Sequence, residues 1–269
     1  LGEKSLGLKA LGFSKLGIEM TPITSLIGSG TKQISMSQVE VSQAADYAGA
    51  DADITGQLTE LFATELHQQG LWQLFSQVEM PLVPVLLNME RNGVALDKEL
   101  LRRLSHRLGE KLFELETEIY NSVGHRFNIN SPQQLSTVIF EELKLPSSRK
   151  VKVKSGFFST EASVLEGLRS THPMVDDLLE YRHLFKLKST YVDALPNLIN
   201  LKTGRVHTSF NQTRTATGRL SSSEPNLQNI AVRDDLGKEI RQAFIAPPGS
   251  LLMAGDYSQI DLRVLAHLS

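Results

Sequence analysis

DYSQIDLRVLAHLS, residues 256–269, is the most informative stretch of this sequence. The residues just before it, LLMAG at 251–255, form an apolar run that predicts a short buried strand. That strand would bring Asp256 to a turn, after which apolar residues recur at helical spacing. A carboxylate at the end of a strand is suited to hold a hard cation such as Mg²⁺ through oxygen. Taken by itself, the pattern is also that of an aspartate that caps the next helix.

A polar segment upstream, TATGRLSSSEPNLQNI at 215–230, is rich in hydroxyls, amides and glycine. Arg219 and the side chains of Asn226, Gln228 and Asn229 are hydrogen-bond donors. The minor-groove edge of every base pair presents acceptors, so such donors can probe a duplex without reading its sequence. As a bare pattern, Gly-Arg-Leu-Ser is more typical of a simple turn.

Seven motifs of this chain, taken together, resemble the family A DNA polymerases, the bacterial DNA polymerase I type. They occur in the family's order and at about its spacing. The resemblance as a whole covers essentially the entire chain. The motifs are YAGADAD (47–53), MERNGV (89–94), SPQQL (131–135), LKSTYVDALP (187–196), TATGRLSS (215–222), PNLQN (225–229) and DYSQI (256–260).

The resemblance implies a mainly α-helical chain with an α/β palm portion at its C-terminal end. In family terms, residues 1–70 are the C-terminal part of a 3′–5′ exonuclease-like domain, residues 71–200 a helical thumb region, and residues 201–269 the N-terminal part of the polymerase palm. The fingers, the rest of the palm and a second catalytic carboxylate are expected outside this sequence. We therefore expect the isolated polypeptide to be inactive or nearly so.

The sequence pattern also predicts individual helices. Asp97 is placed to cap a long amphipathic helix that Gly124 ends. The apolar stripe of that helix consists of Leu101, Leu104, Leu108, Leu112, Leu115 and Ile119. Ser35 and Gln38 form a potential capping box for a helix that runs toward Gly70.

Prolines and a second cap mark further helix boundaries. Pro81 and Pro84 are expected to kink or split a helix near residues 73–89. Ser131, followed by proline and two glutamines, predicts another helix start. More helix is expected over residues 173–200.

Composition limits the classes of partner. The net charge of −2 gives no overall attraction to nucleic acid, but two stretches, 144–154 and 194–223, contain basic residues and no acid. Local basic stretches are typical of a protein that binds phosphates along one face, and a solvated basic loop is the alternative. The absence of cysteine excludes disulfides and Cys-based zinc sites and suits an intracellular enzyme.

Localisation is less constrained by the sequence. The longest apolar stretch, MPLVPVLLNM at 80–89, is too short to cross a bilayer, so no membrane partner is expected. We expect a monomeric, cytoplasmic, nucleoid-associated protein. Organellar targeting stays open, because the sequence begins at Leu1 rather than at Met.

The resemblance assigns the polymerase chemistry to the DYSQIDL motif. It implies that Asp256 is the catalytic carboxylate and bridges two Mg²⁺ ions, one of which also binds the backbone carbonyl of Tyr257. Gln259 and Asp261 are implied to act in nucleotide and sugar selection. The family pattern reads DYSQIEL, so Asp261 stands in place of a glutamate. Its shorter side chain predicts weaker rejection of ribonucleotides, unless the backbone adjusts to compensate.

The resemblance also implies a DNA-binding surface. Arg219 would contact the primer-terminal base pair, with the three amides that follow it along the same minor groove. Lysines and hydroxyls in the thumb suit phosphate contacts, although a solvated helix face is the alternative. These thumb candidates are Lys186, Lys188, Ser189, Thr190, Tyr191 and, at the thumb tip, Lys150, Lys152 and Lys154.

Tyr47 and Asp51 form a third candidate group. Their spacing of four places them on one helical face, and they resemble the third motif of the proofreading exonuclease. There the tyrosine orients the attacking water and the aspartate binds metal. A solvent-facing Tyr/Asp pair is the alternative, and whether proofreading is retained stays open. Asp46 lies off this face and is predicted to be a surface residue.

Together these features predict a template-directed DNA polymerase that joins dNTPs to a primer 3′-hydroxyl on primer–template DNA, with Mg²⁺ as cofactor. The alternative is a non-catalytic or split DNA-binding module that requires a partner chain. A stand-alone nuclease built on Tyr47 and Asp51 is weaker, since its other carboxylates would lie before Leu1.

Overall fold

The computed structural model divides the chain into two compact units, Leu1–Val85 and Leu86–Ser269. The residues that it describes are 5–146, 156–230 and 234–269. The predicted boundary near residue 200 lies inside the second unit, and the assignment of exonuclease-like, thumb and palm segments stays a prediction. Among the described residues, no helix has the length and apolar character needed to cross a membrane.

The first unit is built from helices in its described part. Its α-helices are α1 (Leu8–Leu11), α2 (Thr24–Ile27), α3 (Val41–Gln68), α4 (Trp72–Leu74) and the start of α5 (Met80–Asn92), with π turns at Gly12–Leu16 and Phe75–Glu79 and 3₁₀ turns at Gly30–Lys32 and Met36–Gln38. The predicted capping box of Ser35 and Gln38 is present, but it closes a 3₁₀ turn and does not begin the long helix. Val39 is extended, with ψ of 141°, so α3 begins two residues later.

The helix predicted near residues 73–89 is interrupted, but the interruption lies before both prolines, and α5 continues through Pro81 and Pro84. A π turn, Phe75–Glu79, separates α4 from α5, and Pro84 lies inside α5. Proline has no N–H and cannot donate to the carbonyl four residues earlier. Interruptions of the hydrogen-bond ladder of this kind are where helices bend or widen into π turns.

The long helix α6 (Lys98–Val123) organises the second unit. Asp97 caps it by accepting a hydrogen bond from the backbone N–H of Leu100 at 2.8 Å, and Gly124, with φ of 91°, ends it. All six residues of its predicted apolar stripe are buried. The other helices of the unit are α7 (Pro132–Thr137), α8 (Ala162–Glu166), α9 (Pro173–Leu187), α10 (Ala194–Asn197), α11 (Asp235–Gln242) and α12 (Ile260–Leu268), with π turns at Val138–Glu142 and Lys188–Val192.

The stripe of α6 contributes to two separate hydrophobic cores. Its C-terminal half, from Leu112 to Ile119, packs with residues of α7, α8 and α9. Its N-terminal half, from Leu101 to Leu108, packs with Leu187, Val206 and Ile240. One helix therefore joins the helical part of the unit to the part that contains the strands. The predicted helix start at Ser131 is also confirmed, since its side chain accepts from the backbone N–H of Gln134.

Two small antiparallel sheets complete the second unit. β1 (Val94–Leu96) lies between β2 (Arg205–Val206) and β5 (Phe244–Ile245), and β3 (Ser209–Asn211) pairs with β4 (Ser221–Ser223). The predicted fold class, mainly α with an α/β portion toward the C-terminus, is confirmed.

The predicted buried strand at 251–255 is wrong for this chain. Leu251 and Met253 are 94% and 96% exposed, and the segment has no regular structure. No strand in the described parts of the chain pairs with it. An apolar run becomes a strand when a neighbouring strand satisfies its N–H and C=O groups, and that neighbour is missing among the described residues.

Candidate functional site

Pro225–Asn229, which we name the amide loop, presents its amide side chains outward. Asn226, Gln228 and Asn229 are exposed, whereas Leu227 between them packs against the core. The side-chain oxygen of Asn226 accepts a hydrogen bond from the backbone N–H of Gln228 at 3.0 Å. The oxygen of this amide is thereby engaged within the loop, and its NH₂ group remains available as a donor.

Two buried hydroxyls hold the first half of the amide loop. Thr208 Oγ1 donates to the carbonyl of Pro225 at 2.8 Å. Ser222 Oγ lies 2.6 Å from Thr208 Oγ1 and accepts from the backbone N–H of Leu227 at 3.1 Å. Buried backbone groups need partners of this kind. Within the serine-rich stretch at 221–223, Ser222 therefore helps to orient the loop.

Arg219 stands just upstream, in the exposed connection between β3 and β4. Gly218, with φ of 75°, makes the turn that precedes it. The hydroxyl of Thr215 donates to the backbone carbonyl of Arg219 and so ties the turn together. The guanidinium is free to project from a fixed backbone, and the chain runs from it through β4 directly into the amide loop.

The thumb candidates separate into two groups. Lys186, Ser189 and Thr190 are exposed, whereas Tyr191 is buried and does not face outward as a phosphate contact would. Lys188 is partly buried, and its ammonium lies 2.7 Å from Asp193 Oδ2 and 3.0 Å from Ser105 Oγ. Its charge is therefore already paired, and it ties the π turn Lys188–Val192 to α6.

Asp256 lies in an exposed segment before α12. Tyr257 is 81% exposed, and Gln259 adopts a left-handed conformation, with φ of 53°, at the start of the helix. Asp261 lies in the first helical turn, where a negative charge is favourable. The helix expected from the sequence is present, and the predicted motif residues share one exposed strip of chain.

The donor set around Asp256 is incomplete for two metal ions. Its carboxylate and the carbonyl of Tyr257 are oxygen donors, which suit a hard cation. Within residues 5–146, 156–230 and 234–269, however, no group of three His, Cys, Asp or Glu side chains could hold a metal ion. Asp256 and Tyr257 could therefore supply some of the oxygen ligands of a magnesium site, but not a complete set.

Tyr47 and Asp51 lie on one face of α3, as predicted. Both are partly buried, and Ile54 and Leu58 continue the same face into the core. Tyr47 and Asp51 line a surface cavity of about 390 Å³. Asp46 was expected off this face and is exposed, yet it also lines the cavity, because the cavity extends around the helix.

A cation lies against the same tyrosine. Lys9 Nζ is 4.5 Å from the centre of the Tyr47 ring and donates to the carbonyl of Thr21. The interaction of an ammonium with an aromatic face is favourable and limits the movement of the ring. Nothing in the sequence pattern pointed to this contact, since the two residues are 38 positions apart.

Comparison with known proteins identifies the family to which this chain belongs. Residues 98–269 match the family model described as DNA polymerase family A. The chain belongs to DNA polymerase family A. DNA polymerase I of Chloroflexus aurantiacus is 51% identical over 271 residues, which cover 99% of this chain and 29% of that protein. The thermostable DNA polymerase I of Thermus aquaticus is 59% identical over 205 residues, covering 76% of this chain and 24% of that protein.

A solved structure supports the same membership in family A. The POL domain of Pol1 from M. smegmatis, in complex with DNA primer-template and dNTP, matches with a TM-score of 0.80 and 34% identity. The match covers 99% of this chain and 43% of that one. The family A chain described here thus spans less than a third of the length of the curated relatives it matches.

One basic residue near the thumb candidates of this family A chain, Arg182, was not singled out by the sequence analysis. Arg182 lies one helical turn before Lys186 on α9, and both line a groove of about 660 Å³. The guanidinium donates to the backbone carbonyl of Thr160, and burial lowers its pKa from the usual value. Its spacing of four from Lys186 was the available signal. Lys150, Lys152 and Lys154, the predicted thumb tip, lie outside the described residues.

Proposed function

We propose that this family A chain is part of a template-directed DNA polymerase, which adds dNTPs to a primer 3′-hydroxyl on a DNA template. The observation that carries the proposal is the outward row of amide donors on the amide loop, which buried hydroxyls hold from behind. The similar Pol1 structure contains DNA primer-template and dNTP, which supports the same ligands here.

The amide loop and Arg219 would contact the minor groove of the primer–template duplex. Every base pair presents acceptors there, the purine N3 and the pyrimidine O2, in nearly the same positions. Donors on a rigid backbone can therefore test the shape of a base pair and accept all four bases. A copying enzyme requires that combination.

Phosphate contacts would position the duplex without reading it. Lys186, Ser189 and Thr190 are exposed and close together in the chain. Lys150, Lys152 and Lys154 are proposed to contact the same duplex at the thumb tip.

The DYSQIDL motif would supply one edge of the reaction centre. Asp256 and the carbonyl of Tyr257 are proposed as Mg²⁺ ligands that are completed by residues outside this chain. Bound magnesium would lower the cost of negative charge at the reacting oxygens. Gln259 and Asp261 are proposed to contact the incoming nucleotide, with Asp261 facing its sugar.

A duplex-binding assay tests the part of the function that this chain would carry. We expect the chain alone to bind a fluorescent primer–template, and Arg219→Ala to weaken the affinity by about tenfold, the effect of one charged hydrogen bond. Arg103→Ala is the matched control, since Arg103 is an exposed arginine on α6 that pairs with Glu99. Equal affinities for the two variants would contradict the proposed minor-groove surface.

Primer extension by the complete gene product tests the catalytic part. We expect Asp256→Ala to slow extension by roughly a thousandfold or more, because a lost metal ligand forfeits several kcal/mol. Asp235→Asn, at an exposed residue that pairs with Lys238, should extend normally.

A non-catalytic DNA-binding module is the second candidate. The exposed amide loop and the exposed Lys186, Ser189 and Thr190 favour it, because they suit duplex binding whether or not Asp256 holds a metal ion. A complete gene product that binds the duplex tightly and extends no primer would decide for this candidate.

A further inference from the structure

The side chain of Tyr191 reaches the amide loop from the thumb. It belongs to the π turn Lys188–Val192, is 6% exposed, and donates from its hydroxyl to the backbone carbonyl of Asn229 at 2.8 Å. The two residues are 38 positions apart in the chain. Burial raises the pKa of Tyr191, so its hydroxyl keeps its proton and remains a donor near neutral pH.

This hydrogen bond completes a series along the amide loop. Thr208 holds the carbonyl of Pro225, Ser222 holds the N–H of Leu227, and Tyr191 holds the carbonyl of Asn229. The held backbone groups belong to alternate residues. A backbone fixed at alternate residues leaves little freedom in the direction of the side chains between them.

The π turn that carries Tyr191 is itself fixed. Lys188 pairs with Asp193 at 2.7 Å and with Ser105 of α6 at 3.0 Å. Ser189 and Thr190, the exposed residues proposed to contact phosphate, lie between Lys188 and Tyr191. One short segment thus carries proposed phosphate contacts on its outer side and an anchor for the amide loop on its inner side.

We propose that Tyr191 is a positioning residue, whose hydroxyl sets the direction of the Gln228 and Asn229 amides toward acceptors in the DNA minor groove. This inference rests on the proposed function, since it requires the amide loop to contact the duplex. Tyr191 itself touches no DNA in this arrangement. Its effect passes through the carbonyl of Asn229.

The test compares Tyr191→Phe with the unchanged protein on two primer–templates. One carries ordinary purines near the primer end, and the other carries 3-deazapurines, which lack the N3 acceptor of the minor groove. The readout is the ratio of the two dissociation constants, measured with the complete gene product. A general loss of stability changes both constants together and leaves their ratio unchanged.

We expect the unchanged protein to bind the 3-deazapurine duplex about two- to tenfold more weakly, the value of one hydrogen bond. Tyr191→Phe should bring this ratio close to one. Tyr181→Phe is the matched control, because Tyr181 is 7% exposed and belongs to the other core, so its variant should keep the original ratio. All measurements are made well below the unfolding midpoint of each variant.

Two results overturn the inference, and they are distinguishable. If the unchanged protein is insensitive to 3-deazapurines at every position tested, the minor-groove contact itself fails, and the positioning role fails with it. If the unchanged protein is sensitive and Tyr191→Phe keeps the full ratio, the positioning role alone is wrong and the proposed function stands.

Discussion

Gly93 joins α5 to β1 at a position where the backbone allows no other residue without strain. Its φ is 57°, and a Cβ there would lie 2.6 Å from the carbonyl oxygen of Val206 and 2.8 Å from the His207 ring. The ring is fixed in turn, because its Nδ1 lies 2.7 Å from the carbonyl of Glu90. The MERNGV motif is therefore a joint between a helix and the strands that lead to the amide loop.

We expect Gly93→Ala to destabilise the chain more than Gly124→Ala. Both glycines have positive φ, which costs alanine about 1–2 kcal/mol, but a Cβ at Gly124 meets nothing within 4 Å. The clash at Gly93 adds about 1–3 kcal/mol. Urea unfolding of the two variants measures the difference, and equal free energies of unfolding would show that the joint relaxes without cost.

Single residues also show what the sequence could and could not predict about the site. The exposure of Asn226, Gln228 and Asn229 was predictable, because these polar residues lie in a proline-containing, polar segment typical of a surface loop. The pairing of Lys188 was not predictable, since one partner, Ser105, lies 83 residues away. Residue type alone made Lys186 and Lys188 look equivalent.

At the scale of elements, Lys186 and Lys188 are expected to respond differently to the same substitution. Lys186 is an exposed residue of α9, whereas Lys188 begins the π turn Lys188–Val192 and is already paired. A protein cation that binds a DNA phosphate releases counterions. The binding constant K therefore falls as salt rises, and the steepness of log K against log salt concentration decreases by about 0.9 for each phosphate contact that is removed. We expect Lys186→Met to reduce the slope by about one such unit. Lys188→Met should leave the slope unchanged and lower the thermal stability, because it leaves Asp193 without its cation. A reduced slope for Lys188→Met would place that ammonium on a phosphate.

Elements defined by local signals were predicted well, and those defined by distant partners were not. Asp97, the stripe and Gly124 gave α6 its correct bounds, because cap, period and stop all lie within the helix. The capping box at Ser35 was recognised correctly but assigned to the wrong helix, since Val39 breaks the helical path. The apolar run at 251–255 needed a pairing partner that its own sequence cannot reveal.

At the scale of the whole molecule, the second unit is stabilised by two cores that share α6. Both cores are complete before the DYSQIDL motif begins, since all of their residues precede residue 245. Residues 251–269 are all exposed, although they include large apolar side chains such as Leu251 and Met253. The chemistry proposed for Asp256 thus depends on a segment that contributes no buried side chain to the fold.

Removal of residues 251–269 should therefore leave the fold intact. We expect the shortened chain, residues 1–250, to unfold in urea within about 0.5 kcal/mol of the full chain, as exposed substitutions do. A chain of residues 1–234 is the matched comparison, because it also loses residues 235–250, which include α11, β5 and the fully buried Ile240 and Ala243. Loss of a fully buried Ile side chain alone costs about 2–5 kcal/mol. If the 1–250 chain lost as much stability as the 1–234 chain, residues 251–269 would pack against the fold in solution, contrary to their exposure here.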